Sequence, residues 1–337
     1  MTLPSSYKAV AFKEKNGKLE PLEVAWKDPA PNEVVVKVLA CGICAGDEIV
    51  EHQGFPTGLP RIPGHEVVGD VVAVPPTEKT FKVGDRVGAG WHGGHCFTCI
   101  HCRSGDFVAC TSADIVGIKR DGGFAEYVHI RSEALVNVPK DLDPTEAAPL
   151  LCAGVTTFNS LRNMSLKHGE LVAVQGIGGL GHLGIQFAKK MGYRVVALSS
   201  GPSKKELSLQ LGASDYLDSS QVDQATELQK LGGAKVIMCC APNAQQLRSL
   251  IGGLTIGGTL LVLGVPHEEF SVPAFLLVSK RLSIRGWPSG SPVDSEECLQ
   301  FAKETGVTCM VNKFPLDKAQ EAYDHRSSAR FRAVITP

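Results

Sequence analysis

Residues 171–181 read Leu171-Val-Ala-Val-Gln175-Gly176-Ile-Gly178-Gly179-Leu180-Gly181, an apolar strand pattern running into G-x-G-x-x-G. Leu180, Leu183, Phe187 and Met191 then recur at steps of three, four and four, which lays an apolar stripe along one helix face. A strand, a glycine turn and an amphipathic helix in that order form the setting in which such glycines bind a dinucleotide. They allow the tight turn and let a pyrophosphate reach helix amides whose dipole favours an anion. The plain alternative is a strand-turn-helix corner whose glycines serve packing alone. The sequence downstream favours the nucleotide. Six candidate strands, at 171–175, 194–199, 214–217, 235–240, 258–264 and 281–286, alternate with helical stretches. That alternation is the signature of a doubly wound parallel sheet of α/β class.

Upstream the texture differs. Val34–Val38, Val67–Val74, Val83–Val87 and Gly123–Ile130 are short Val-rich runs punctuated by Gly and Pro, the pattern of a compact β-rich unit. After Gly286 the alternation stops, and the remaining chain is too short for a further domain, so it is expected to return to the first. Two domains result, 1–151 with 286–337, and 152–285, as the length of 337 residues suggests. With 34 Lys+Arg against 35 Asp+Glu, no global field draws the chain to nucleic acid or an anionic membrane. The most apolar later run, Thr259–Val265, is far shorter than the roughly 20 residues of a membrane helix. Met1–Gly17 lacks the continuous apolar run of a secretory signal, so a reducing compartment, the cytoplasm, is expected.

The end of the second strand bears on cofactor choice. An NAD site places Asp or Glu about 20 residues beyond the glycines, on the ribose hydroxyls. Here the chain reads Ala197-Leu198-Ser199-Ser200-Gly201-Pro202-Ser203-Lys204-Lys205, without a carboxylate. Ser199, Ser200, Ser203 and Lys204 can donate to a 2′-phosphate, which favours NADP(H) over NAD(H). The alternative is a solvated Ser/Lys loop beside an unselective NAD site.

Eleven cysteines under reducing conditions point to metal ligation before disulfides. Cys96, Cys99, Cys102 and Cys110 follow a spacing that lets four thiolates close around a structural Zn²⁺, tying down a loop without a core of its own. His92, His95 and His101 are nearby alternative ligands, and four cysteines need none of them; they are taken as surface or pocket residues. A second set is scattered: Cys44 in Cys41-Gly-Ile-Cys44-Ala-Gly-Asp47, His65 in Pro63-Gly-His65-Glu66, and Cys152 in Pro149-Leu-Leu-Cys152-Ala-Gly.

These segments, the four-cysteine loop and the glycine fingerprint, in this order over essentially the whole chain, resemble the zinc-dependent medium-chain alcohol dehydrogenases. Ser199-Ser200 with Lys204-Lys205-Glu206 is most similar to the NADP-dependent cinnamyl-alcohol-dehydrogenase-like branch, and the core motifs also resemble the yeast-type enzymes. The resemblance implies a GroES-like β-rich catalytic domain beside the six-stranded Rossmann sheet, and two zinc ions per chain. Cys44, His65 and Cys152 would hold a catalytic zinc with an open fourth position. Asp47 would accept the free ring N–H of His65 and fix its tautomer, and Glu66 could approach the metal. Phe55, Trp91 and Trp287 fall where the family lines its substrate pocket. Thr156 and Val265 fall near the nicotinamide, and Arg332 matches a pyrophosphate-binding arginine. The implied activity is interconversion of an alcohol and an aldehyde or ketone, on a small aryl or allylic substrate. The family commonly pairs through the last strand of the nucleotide domain, here Leu282–Gly286, so a homodimer or homotetramer is expected.

The chain departs from the family at two positions. A proton relay normally places Ser or Thr two residues after the first zinc cysteine and often His three residues further on; here those positions are Gly46 and Ile49, and neither carries a proton. Either water fills the space beside Gly46, with His52 or Glu48 as the exit, or hydride goes to a conjugated alkene or iminium carbon. A third reading is a non-catalytic nucleotide-binding protein on the same scaffold.

Overall fold

The computed structural model describes residues 3–326 and 331–337. The chain divides into two compact units, Met1–Val155 with Ser289–Pro337, and Thr156–Pro288.

In the second unit six parallel strands form one sheet in the order Asp215–Asp218, Arg194–Ser199, Leu171–Gln175, Ala234–Cys239, Leu254–Val262, Ser283–Gly286. The two inner neighbours of Leu171–Gln175 meet it in register, Val172 facing both Val195 and Val236. Alternate residues feed opposite cores. Val172, Val174 and Val236 pack on one side with Ile185, whereas Ala173, Val196 and Ile237 pack on the other with Leu247 and Leu250. Because both faces are covered, these strands read as continuous apolar runs without polar alternation. The Rossmann doubly wound sheet expected from the sequence is therefore present, most strands lying within two residues of expectation. Leu254–Val262 starts earlier, because Leu254 pairs with Ala234 before a register shift realigns Thr259 with Val236.

Helix Gly181–Lys190 packs on this sheet through Leu183, Ile185 and Phe187, all fully buried. Its first residue must come close to the turn: a Cβ on Gly181 would lie 1.9 Å from the Gly176 carbonyl oxygen. At Gly178 a Cβ would meet nothing within 4 Å, so the backbone there is open to approach.

The first unit, where the resemblance implies a GroES-like domain, is built on a seven-stranded sheet. Its path runs Val311–Pro315, Arg332–Thr336, Glu33–Gly42, Glu66–Ala73, Arg86–Ala89, Val136–Asn137, with Tyr127–Arg131 also paired to Glu33–Gly42. The C-terminal strand thus inserts beside Glu33–Gly42, Ile335 opposite Cys41 and Val334 opposite Gly42. Two of the valine runs reach beyond their strands. Val83 is 62% exposed in a turn closed by Lys82 N–H donating to Asp85, so the strand begins at Arg86. Gly123 and Phe124 instead spend their amides on a loop, at Gly64 and Pro63, and Glu126 N–H donates to Lys8 in strand Ser6–Phe12, so the ladder with Glu33–Gly42 starts at Tyr127. Among the described residues no helix is long and apolar enough to cross a membrane.

Candidate active site

Cys44, His65, Glu66 and Cys152 converge in the first unit, one ligand atom from each lying within 4.8 Å of the others. Each reaches the site by a different local device. Cys44 caps a short 3-10 turn, Ala45–Asp47, and Asp47 folds back to accept the Cys44 N–H at 2.9 Å. His65 and Glu66 stand at the start of strand Glu66–Ala73. Cys152 lies in a π-helical turn, Leu150–Gly154, directly after Pro149. A proline cannot donate an intrahelical bond, and the helix opens at that point.

Asp47 is fully buried and its carboxylate takes three donors: the Cys44 and Gly64 amides, and the His65 ring at Nδ1, 3.1 Å away. With Nδ1 committed to Asp47, Nε2 is the nitrogen left to face the two sulfurs, 3.5 Å from Cys152 Sγ. Burial disfavours the imidazolium, but the Asp47 charge outweighs it and holds His65 above its ordinary pKa. The Cys152 thiol, hydrogen-bonded to Cys44 across 3.9 Å, holds Cys44 well below the usual thiol range.

These spacings fit a zinc ion. Bonds of about 2.3 Å to sulfur and about 2.0–2.1 Å to nitrogen at tetrahedral angles require S···S edges near ~3.8 Å and S···N edges near ~3.6 Å. Glu66 adds an orphan: its buried Oε2 has no hydrogen-bond partner. Such a carboxylate oxygen is costly unless a cation answers it. Burial pushes the Glu66 carboxyl up to about 8, although the Arg332 guanidinium pulls it down.

Arg332 is found against this cluster, Nη2 2.9 Å from Glu66 Oε1 and 4.0 Å from Cys44 Sγ. Glu66 and Arg332 sit on the two strands that flank Gly42, which pairs with Glu66 on one side and Val334 on the other. A Cβ on Gly42 would fall 1.9 Å from Glu66 Oε2, so only glycine leaves room for that carboxylate. Neither Gly42 nor the Glu66–Arg332 pair is visible in the sequence, because it joins residues 266 positions apart through strand order alone.

The relay position at Gly46 is crowded rather than spacious. A Cβ on Gly46 would lie 3.1 Å from the Trp91 ring and 3.2 Å from His65 Cε1, so two rings bound the space expected for water. Trp91 and His65 meet edge to face, ring centroids 5.1 Å apart at 88°. Of the expected exits, Glu48 pairs with Arg326 at 2.7 Å and His52 Nδ1 is 2.9 Å from Asn16 Oδ1. Phe55 is 42% exposed.

The four-cysteine loop forms the other cluster, Cys96, Cys99, Cys102 and Cys110 again within 4.8 Å. Main-chain amides point at the sulfurs: Cys99 N–H at Cys96 (3.3 Å), Cys102 N–H at Cys99 (3.5 Å), Ser112 N–H at Cys110 (3.4 Å). The Thr98 hydroxyl and the Cys99 amide pull the Cys96 thiol down to about 5. Four thiols so arranged, none in a disulfide, suit a closed tetrahedral site. Of the neighbouring histidines, expected at the surface or in a pocket, His92 and His95 are buried, with Nε2 of His92 3.0 Å from Nδ1 of His95 and the His95 ring stacked on Phe107.

In the second unit a cavity of about 360 Å³ is lined by Gln175, Gly176, Ile177, Ser199, Ser200, Lys204 and residues of the loop after strand Ala234–Cys239. Lys204 Nζ donates to the Ile177 carbonyl at 2.7 Å, bridging the glycine turn and the serine loop. Ser203 is exposed and does not line the cavity. Gly179 and Leu180 complete the turn, Leu180 at the helix N-terminus. Thr156, Val265 (79% exposed) and Trp287, whose ring carries the Arg285 guanidinium 4.7 Å away, also belong to this unit.

Comparison with known proteins agrees with this construction. Residues 30–140 match the alcohol dehydrogenase GroES-like domain, and residues 179–304 match the zinc-binding dehydrogenase domain. The chain is similar to alcohol dehydrogenase notN of Aspergillus sp. (strain MF297-2), 46% identical over 100% of this chain and 99% of that protein. Among solved structures it resembles the cinnamyl alcohol dehydrogenase of Sorghum bicolor, with a TM-score of 0.89 and 30% identity over 98% of this chain and 97% of that one. It also resembles the CAD of Helicobacter pylori complexed with NADP(H), with a TM-score of 0.87 and 25% identity over 98% of each chain. A non-catalytic binding protein does not fit this company. Two cysteine-rich ligand clusters on a GroES-like unit, beside a parallel sheet with a dinucleotide fingerprint, place the chain in the zinc-dependent medium-chain alcohol dehydrogenase family of oxidoreductases.

Proposed function

We propose that the protein is a zinc-dependent NADP(H) oxidoreductase that interconverts an alcohol and an aldehyde or ketone on an aryl or allylic substrate. The observation that carries this is the convergence of Cys44, His65 and Cys152 at zinc-ligand spacing, with His65 braced by buried Asp47. Zinc held there supplies Lewis acidity toward a substrate oxygen, and a nicotinamide cofactor supplies or accepts the hydride. The chain's own residues set the conditions. Asp47 keeps His65 in the tautomer that presents Nε2, and Arg332 balances the buried Glu66 charge. Trp91 covers one side of His65 with an aromatic wall, which excludes water and suits a flat unsaturated substrate. Cys96, Cys99, Cys102 and Cys110 hold a second zinc with a structural role. Ser199, Ser200 and Lys204 favour NADP(H), in line with the absence of an acidic residue at the strand end.

A substrate panel of saturated, allylic and aryl aldehydes, assayed with NADPH and NADH side by side, tests the reaction and the cofactor together. Reduction of aryl or allylic aldehydes with NADPH preferred is expected; no alcohol product with any member sinks the reading. The crowding at Gly46 favours a second reading, reduction of a conjugated alkene or cyclic iminium, which needs no relay to an alkoxide. Adding enals and iminiums to the panel separates the two by product.

Assembly and location extend this reading. Strand Ser283–Gly286 is exposed along its whole length at the sheet edge, and Phe275 and Val278 of helix Ala274–Lys280 are exposed at 79% and 78%. An unpaired edge with apolar neighbours fits pairing with a second copy. Ile284→Asp is expected to yield monomer by analytical ultracentrifugation, and an unchanged mass counts against this edge. None of the eleven cysteines is in a disulfide, which fits a reducing cytoplasm.

A further inference from the structure

The loop that would read the cofactor's 2′-phosphate is held from the side, by the neighbouring strand. Strand Asp215–Asp218 runs parallel to Arg194–Ser199, with Ser199 opposite Asp218. Beyond the ladder the contacts continue through side chains. The Tyr216 hydroxyl donates to the Gly201 carbonyl at 2.6 Å, and the Gly201 amide donates to Asp218 Oδ1 at 2.7 Å. One residue of the loop thus has both its backbone acceptor and its backbone donor taken by one strand. Gly201 itself sits at φ 73°, ψ 166°, a region open essentially to glycine alone. A Cβ there would touch nothing within 4 Å, so the glycine serves conformation and not packing.

That conformation decides where the next residues go. Pro202–Lys204 form a 3-10 turn immediately after Gly201, and this turn brings Lys204 Nζ back to the Ile177 carbonyl, across the cavity that Ser199 and Ser200 also line. Asp218 is itself fixed, because its Oδ1 also accepts the Ser220 amide at 2.9 Å and hydroxyl at 2.8 Å. Those bonds keep its carboxyl below the ordinary range, hence ionised as an acceptor. The Ser199 carbonyl is tied in turn by the Ser219 amide and by Gln224 Nε2 at 3.0 Å.

We infer that Tyr216 and Asp218 are positioning residues for cofactor selectivity: by clamping Gly201 they hold the Ser199–Lys204 loop in the shape that receives a 2′-phosphate. The inference rests on the NADP(H) reading above. Without the clamp the serine hydroxyls and the Lys204 ammonium must be ordered by the ligand itself, a cost that falls on the phosphorylated cofactor and spares the one lacking the phosphate.

Equilibrium titration of NADPH and NADH by quenching of protein fluorescence tests this, with Tyr216→Phe, Asp218→Ala, Asp218→Asn and Lys204→Ala compared with the native chain. Loss of one well-placed hydrogen bond corresponds to about tenfold in affinity. Tyr216→Phe and Asp218→Ala are therefore expected to weaken NADPH about tenfold each and NADH less than twofold, and Asp218→Asn, which retains an acceptor oxygen, to recover most of the loss. If the native chain shows no preference for NADPH, the cofactor reading falls and this inference with it. If the native preference exists and Lys204→Ala abolishes it, while Tyr216→Phe and Asp218→Ala leave it intact or weaken both cofactors equally, the clamp alone is overturned. Tyr216→Phe deletes only a hydroxyl, so it decides the matter even if Asp218→Ala does not fold.

Discussion

The two ligand clusters of the first unit are built from the same chemistry in opposite ways. The four-cysteine cluster draws its ligands from one loop, Cys96 to Cys110, and its support is local: the sulfurs of Cys96, Cys99 and Cys110 are each approached by an amide or hydroxyl a few residues away. The Cys44–His65–Cys152 cluster draws on a capped 3-10 turn, a strand start and a π-helical turn, and its support comes from afar. Asp47 braces His65, and Arg332 answers Glu66 across a strand on which Gly42 has no side chain. A local all-sulfur cluster is closed and self-sufficient. The dispersed one depends on the whole sheet, and it alone has a carboxylate with an unpartnered oxygen and an aromatic wall. The lesson is that a structural site can be written into spacing, whereas a reactive site is written into strand order.

Breaking each cluster in turn should expose that difference. Cys152→Ser is expected to abolish turnover and lower the zinc content from about two per chain to about one, with little change in melting temperature. A variant that still carries two zinc ions and full activity would remove Cys152 from the site. Cys110→Ser should lose the other zinc instead, and its signature is a lower Tm and faster inactivation on chelation, because ligand binding energy there is folding energy. If its kcat/KM per remaining zinc collapses as well, the division into structural and catalytic sites is wrong.

Asp47→Asn probes the support of the dispersed site. The amide can still accept from His65, but the buried charge is gone, so metal affinity should fall about 10–100-fold, measured by competition with a chelator. A smaller effect, severalfold in kcat, is expected for Gly46→Ser, since its side chain must push against Trp91 or His65. Pairing it with Trp91→Leu should relieve the loss; failure of that rescue would show that the indole is not what fills the relay position.

The mildest test is of pH. Burial, with the His95 and Arg131 charges behind it, pushes His92 down to about 4. The unfolded chain takes up that proton near ~6.5, so the folded form holds fewer protons between those values. The His92 contribution to stability should be constant above about pH 6.5 and decline as pH falls toward 4, and His92→Phe should flatten that part of the slope in urea denaturation series.

The parallel sheet and the cysteine loop are legible in the chain because each is a local pattern. Val172 and Val174 in a run buried on both faces, a glycine turn, and four thiols on one loop need no knowledge of distant neighbours. The valine runs near Val83 and Gly123 misled at their ends, since a turn hydrogen bond and loop amides outweigh strand propensity there. Cys44, His65 and Cys152 could be joined from sequence only by family resemblance.

Sequence by itself therefore determined the elements, their alternation and the inventory of ligands, since hydrophobic period and residue chemistry are properties of short segments. Tertiary structure alone decided which carboxylate faces which cation, that Gly42 makes way for Glu66, that Trp91 closes the relay position and that Tyr216 and Asp218 grip Gly201. Each of those is a contact between strands or turns remote in the chain, and its geometry exists only once the sheet order is set.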